Sequence, residues 1–155
     1  MKLQDLCSAE SRLFAKSEFQ PASDRWPALS FSSRKVASDF ANEYRRGRDY
    51  VIYVGTSDPS TTERPEHRQR LMSVISVEPR TPVSTRDLIP AEAWEQAVSE
   101  YGIRWEWSLP ILAAYDVSGF PRAKDTIPAA YAALGTLPNL GRCVELKDAE
   151  RMRLL

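Results

Sequence analysis

The fold is decided by the stretch DYVIYVG at residues 49–55, which is the clearest β-strand in the chain. β-branched and aromatic residues follow one another almost without a break, as is typical of a strand covered on both faces. A second apolar run, LMSVISVE at residues 71–78, is stopped by Pro79. The two runs predict a sheet in which residues 49–55 form a central strand.

Amphipathic segments surround these strands. Apolar residues at helical spacing predict a helix that begins after Ser32 or Ser33, either of which can cap it, and ends near Gly47. Pro90 opens a second helix, which Gly102 closes. Further helices are predicted at residues 2–17 and 125–134 and at the C-terminus.

Additional short strands are predicted at residues 26–31, 103–107, 109–117 and 141–146. Regular crossover helices do not separate the strands, which argues against a doubly wound parallel sheet. We therefore expect an α+β fold, with a small bent or closed β-barrel and flanking helices. Residues 1–20 are interpreted as an N-terminal helical appendage and residues 21–155 as a single domain.

Composition excludes several classes of protein. The chain has 155 residues, with 21 Lys and Arg balanced by 21 Asp and Glu, so any binding of nucleic acid must use a local patch. One His and two distant Cys cannot build a structural zinc site, and we expect no metal and no cofactor. The absence of a long apolar run and of a leader-like N-terminus predicts a cytoplasmic protein without membrane contact.

Catalytic constellations are sparse. His67 lies in a polar loop at residues 56–70 and is expected to be solvated. As a base it would need Ser57, Ser60 or Cys143 as the nucleophile, and the chain has no G-x-S-x-G motif. A small hydrolase or nuclease remains an alternative, as does a protein-interaction module that uses the long loop.

Two indoles suggest a binding surface. Trp105 and Trp107 stand two apart on a predicted strand, so both are expected on one face of it. They pack in the core or, alternatively, line a cleft in which a planar ring stacks.

Arginine clusters flank the central strand. Residues 45, 46 and 48 form one cluster and residues 64, 68 and 70 the other. They are solvated surface or, alternatively, phosphate contacts. The candidates for phosphate binding are Arg45, Arg46, Arg48, Arg68 and Arg70.

Four segments of the sequence occur in an order that resembles that of a known superfamily. Trp26 with residues 30–35 (SFSSRK) is followed by residues 49–56 (DYVIYVGT), 70–77 (RLMSVISV) and 103–110 (IRWEWSLP). This order is similar to that of PUA-like domains of the EVE and YTH branch, over residues 26–146. The resemblance implies a β-barrel that recognises a modified base of RNA or DNA by flipping it into an aromatic pocket.

Carried over to this chain, the resemblance implicates Ser32 and Ser33 after the first strand, Ser57 after the second, and Trp105 or Trp107 as a pocket wall. The leading interpretation is a PUA-like domain, not an enzyme, that binds a modified nucleobase in RNA or DNA.

Overall fold

Seven strands form one strongly curled mixed sheet that closes into a half-barrel. The computed structural model describes residues 2–155. The strands are β1 (Leu13–Glu18), β2 (Ala28–Phe31), β3 (Tyr50–Gly55), β4 (Leu71–Val77), β5 (Val83–Ser84), β6 (Trp107–Asp116) and β7 (Val144–Glu145). The flanking helices are α1 (Arg34–Glu43), α2 (Ala91–Tyr101), α3 (Ala123–Thr126), α4 (Pro128–Leu134) and α5 (Asp148–Leu154). The expected α+β class, with a small bent sheet and flanking helices, is confirmed.

The order of strands is β2-β6-β4-β3-β1-β7, with β5 beside the start of β6. β3 lies inside the sheet, antiparallel to β4 and parallel to β1. The predicted central strand is therefore confirmed.

Alternate residues of β3 face two separate cores. Val51 packs in one core with Phe40 of α1, and Ile52 packs in the other with Leu134 of α4. This two-sided burial explains why the strand is apolar at almost every position.

The prediction of a helix over residues 2–17 is wrong, because the second part of this segment forms β1. Leu13 and Ala15 enter one core and Phe14 enters the other, so apolar residues are consecutive and do not alternate. Pairing with β3, distant in the sequence, decides the structure here. The first part holds a short 3₁₀ turn at Leu3–Asp5.

The prediction of a strand over residues 103–107 is also wrong. β6 begins only at Trp107, and Trp105 has a φ of 54°, in the left-handed region. The two indoles therefore do not share one face of a strand. The chain leaves α2 through Gly102, whose φ is 78°, and must turn sharply before it can enter β6.

Other predicted elements agree more closely. Ser33 caps α1 by accepting a hydrogen bond from the backbone N–H of Val36 at 3.3 Å. The helix between Pro90 and Gly102 is confirmed. The helix expected at residues 125–134 is divided in two at Ile127, where φ is −133°. Within residues 2–155, no helix combines the length and the apolar character that crossing a membrane requires.

Candidate functional site

A cleft of about 480 Å³ lies where β1 and β3 end, with α2 and the turn after it forming the opposite wall. Its volume is within the range of roughly 300–1,000 Å³ that is common for small-molecule sites. Five aromatic residues line it, namely Phe19, Trp26, Tyr53, Tyr101 and Trp105.

Trp105 is the centre of this aromatic cluster. Its ring centroid lies 5.4 Å from that of Phe19, 5.4 Å from that of Tyr101 and 6.3 Å from that of Trp26. The three neighbouring rings stand edge-on to the indole, an arrangement that aromatic quadrupoles favour. Trp105 and Trp26 are both half-buried, so part of each indole remains open to the cleft.

Three buried hydroxyl groups connect the two cleft-lining tryptophans. The indole N–H of Trp26 donates to Ser30 Oγ at 2.9 Å, and Ser30 Oγ lies 2.7 Å from Ser108 Oγ. Ser108 Oγ lies 2.6 Å from Thr85 Oγ1, which donates to the backbone carbonyl of Trp105. The backbone N–H of Thr85 also donates to the carbonyl of Glu106 at 2.9 Å. These bonds hold the turn that carries Trp105 in its left-handed conformation.

The floor of the cleft carries an ion pair. Lys16 Nζ lies 2.7 Å from Glu18 Oε1, and Lys16 is only 3% exposed. The ammonium also lies 5.5 Å from the centre of the Phe31 ring. Tyr53 lines the same region, and burial raises the pKa of its hydroxyl well above the ordinary value, with a further contribution from the negative charge of Glu18.

The other residues suggested by the sequence lie outside this lining. Trp107 packs against the core on the α1 side, and the guanidinium of Arg34 lies 4.9 Å from its ring centre. Ser33 is engaged as the cap of α1, and Ser32 and Ser57 are exposed.

The predicted phosphate contacts fall into two groups at opposite ends of β3. Arg45, Arg46 and Arg48 precede this strand. Arg68 and Arg70 lie at its other end, where the backbone N–H of Gly55 donates to the carbonyl of Arg70. Six strand residues separate the groups by about 20 Å, so one phosphate cannot contact both.

Several of these arginines have protein partners. Arg46 is paired with Glu78 at 2.7 Å and Arg48 with the buried Asp49 at 2.7 Å. Arg68 donates to the carbonyls of Thr62 and Glu63. The exposed cations that line the cleft are Arg25 and Arg104 instead, which sequence reasoning missed because each is a single charge outside any cluster.

The chemistry of the remaining candidates is limited. His67 is 8% exposed and its ring packs edge-on against Phe120 at 5.1 Å, so the expectation of a solvated histidine is wrong. Burial raises the pKa of the Cys143 thiol to about 12, which keeps it protonated and a poor nucleophile at neutral pH. Over residues 2–155, no three His, Cys, Asp or Glu side chains come close enough together to hold a metal ion.

Comparison with known proteins gives no relative for this chain, since no family model, no curated protein and no solved structure matches it.

Proposed function

We propose that the cleft binds one nucleobase of RNA or DNA, without catalysis, by stacking it against the indole of Trp105. The proposal includes a PUA-like fold for the half-barrel. This part is supported by the curl of the sheet and by the order of the sequence segments that resemble PUA-like domains. The observation that carries it is the half-buried Trp105, surrounded by three edge-on aromatic rings and facing a cleft of about 480 Å³. Stacking of a base on an aromatic side chain contributes about 1–3 kcal/mol.

The proposal favours a modified base over an unmodified one. A methyl group adds apolar area, and burial of each such group against aromatic walls contributes about 0.8 kcal/mol. A base must also leave its stack to reach the cleft, which costs a few kcal/mol. We expect binding to be tightest where the base is already unpaired.

Phosphates next to the bound base would meet Arg25 and Arg104, the exposed cations of the cleft. Two contacts predict a shallow dependence on salt, with a log–log slope of about −1.4 for a single strand. The arginines at positions 45, 46, 48, 68 and 70 lie outside the cleft lining, so this proposal assigns them no phosphate contact and no share of the salt dependence.

The test uses fluorescent RNA and DNA oligonucleotides that each carry one modified base, with affinity measured by anisotropy. Trp105→Ala should weaken binding about 5- to 150-fold. Trp107→Ala is the matched control, since its indole lies outside the cleft lining, and should retain the wild-type affinity. Equal losses in two folded variants, or no binding to any oligonucleotide, would overturn the proposal.

A second set of measurements distinguishes the arginines that line the cleft from those outside it, through the salt dependence of binding. Arg104→Gln should reduce the salt slope by about 0.7, whereas Arg46→Gln should leave it unchanged. The same samples should contain only intact oligonucleotide at the end of the incubation. Cleavage or base release would indicate the hydrolase or nuclease alternative.

A further inference from the structure

The ion pair on the floor of the cleft is unusual in its burial. Lysine is among the residues that are least often buried, yet Lys16 is 3% exposed. Its ammonium lies 2.7 Å from Glu18, whose side chain is 25% exposed. Removing such a pair from water costs free energy that the pairing only partly returns, so stability alone does not explain its presence.

The pair retains capacity for further hydrogen bonds. An ammonium has three N–H donors, and within residues 2–155 Lys16 donates one hydrogen bond, to Glu18. The Glu18 carboxylate has several acceptor sites beyond the one that Lys16 occupies. The cleft therefore presents a charged donor directly beside a charged acceptor, in a lining that also contains the aromatic residues.

We infer that Lys16 and Glu18 read the polar edge of the ring that stacks on Trp105. Glu18 accepts a ring or amino N–H of the ligand, and Lys16 donates to the neighbouring carbonyl oxygen or ring nitrogen. This inference rests on the proposed function and narrows it. The ligand is a base whose Watson–Crick edge is unsubstituted, and its modification lies on another edge, against the aromatic rings.

The site would discriminate against a base whose Watson–Crick edge carries a methyl group. A methyl group on the edge nitrogen removes the N–H and places apolar atoms against the partly buried carboxylate of Glu18. A site that is built to hydrogen-bond a group rejects the analogue that lacks it, because polar atoms of the site then lose their partner where the bound base excludes water.

The first experiment compares isomers of equal mass in one oligonucleotide. Uracil methylated at C5 keeps its edge intact, whereas uracil methylated at N3 has lost the edge N–H. Cytosine offers a second comparison, in which the two bases differ by one methyl group: C5 methylation keeps the edge intact, whereas N4 dimethylation removes both amino N–H groups. We expect the edge-methylated base to bind roughly 10- to 100-fold more weakly, as loss of a hydrogen bond to a charged group predicts.

The second experiment removes the charges with little change in volume, through the double variant Lys16→Met and Glu18→Gln. The affinity ratio of the two uracil isomers should fall severalfold toward 1, because the amide oxygen at position 18 accepts only a neutral hydrogen bond and position 16 no longer donates. The matched control is Lys35→Met with Asp39→Asn, because that pair has the same 2.7 Å separation but is exposed on α1. The control should keep the wild-type ratio.

The outcomes separate the two proposals. If no oligonucleotide binds, the proposed function fails. If both isomers bind the wild-type protein equally and Trp105→Ala still weakens binding, the base-binding function stands and the role of Lys16 and Glu18 is disproved. The wild-type comparison needs no variant, so it decides the inference even if the double variant does not fold.

Discussion

The indole N–H of Trp26 and the backbone carbonyl of Trp105 are the two ends of one directed chain of hydrogen bonds. The direction follows from counting protons, since each hydroxyl has one. Thr85 donates its proton to Trp105, so it must accept from Ser108, which must accept from Ser30, which accepts from Trp26. All protons point from Trp26 to Trp105, and such aligned bonds polarise and strengthen one another.

Ser108→Ala should break this chain at its middle. Ser108 is fully buried, and its loss leaves Thr85 without a donor and Ser30 without an acceptor for its proton. We expect the free energy of unfolding in urea to fall by about 1–3 kcal/mol. Acrylamide quenching of tryptophan fluorescence should also increase, because the turn around Trp105 loosens. The control is Ser32→Ala, at an exposed position, which should change stability by no more than about 0.5 kcal/mol. A similar loss of stability in both variants would contradict a stabilising role for the chain of hydrogen bonds.

The left-handed backbone at Trp105 predicts that glycine is more stable than alanine at this position, which is the reverse of the usual order. Elsewhere glycine is usually less stable than alanine, because it loses more conformational freedom on folding. At a φ of 54° a Cβ atom costs about 1–2 kcal/mol, which glycine avoids. Trp105→Gly should therefore be more stable than Trp105→Ala in urea unfolding. The expected difference is about 1 kcal/mol, once the larger conformational entropy that glycine loses on folding is subtracted. Greater stability of Trp105→Ala would show that the turn is not left-handed in solution.

The parts of the fold that could be predicted are those with a local signal. Residues 49–55 and 71–78 are apolar runs with clear ends, and α2 has Pro90 and Gly102 as boundaries. β1 could not be predicted, because its pairing with β3 joins residues far apart in the sequence.

The site was harder to predict than the fold. The sequence indicates Trp105 as a candidate, but nothing in it predicts the positive φ of this non-glycine residue. The sequence does not indicate Lys16 and Glu18, because residues 2–17 are predicted as a helix, and it is the pairing of β1 with β3 in the curled sheet that buries Lys16 beside Glu18.

Asp49 should make stability depend on acid pH. Its buried carboxylate accepts hydrogen bonds from the backbone N–H groups of Arg12 and Arg45 and from the Arg48 side chain. Burial alone would raise its pKa, but these bonds and the charge of Arg12 together hold the pKa below the ordinary value of 3.8. The folded state therefore favours the ionised form. The resulting stability is complete above pH 3.8 and is lost as the pH falls through the lower pKa of the folded state.

Asp49→Asn tests this by urea unfolding across the pH range. At pH 7 the variant should be less stable by about 1.5–3 kcal/mol, and the difference should shrink as the pH falls below 3.8. Asp39→Asn, at the exposed pair on α1, should follow the wild type at every pH. A difference for Asp49→Asn that stays constant down to pH 2 would mean that the charge of the carboxylate is not what matters.

Gly55 at the end of β3 has no room for a side chain. A Cβ atom there would lie 1.9 Å from the carbonyl oxygen of His67 and 3.2 Å from Sδ of Met72. The backbone cannot move aside easily, because the N–H of Gly55 donates to Arg70 and its carbonyl accepts from Gln69, both at 3.0 Å. The loop at residues 56–70 is therefore anchored through direct contact with this glycine.

Gly55→Ala should lower the free energy of unfolding by about 3 kcal/mol or more, at the upper end of what overpacking costs. Hydrogen exchange should accelerate in the loop at residues 56–70, because that segment has to leave the strand. Gly135→Ala is the matched control, since its nearest non-bonded atom would be 3.6 Å away and its φ of −82° suits alanine. That variant should equal or exceed the wild type by up to about 1 kcal/mol, because alanine restricts the unfolded chain. Wild-type stability in Gly55→Ala would mean that the loop packs elsewhere, and the end of β3 beside the cleft would then be open.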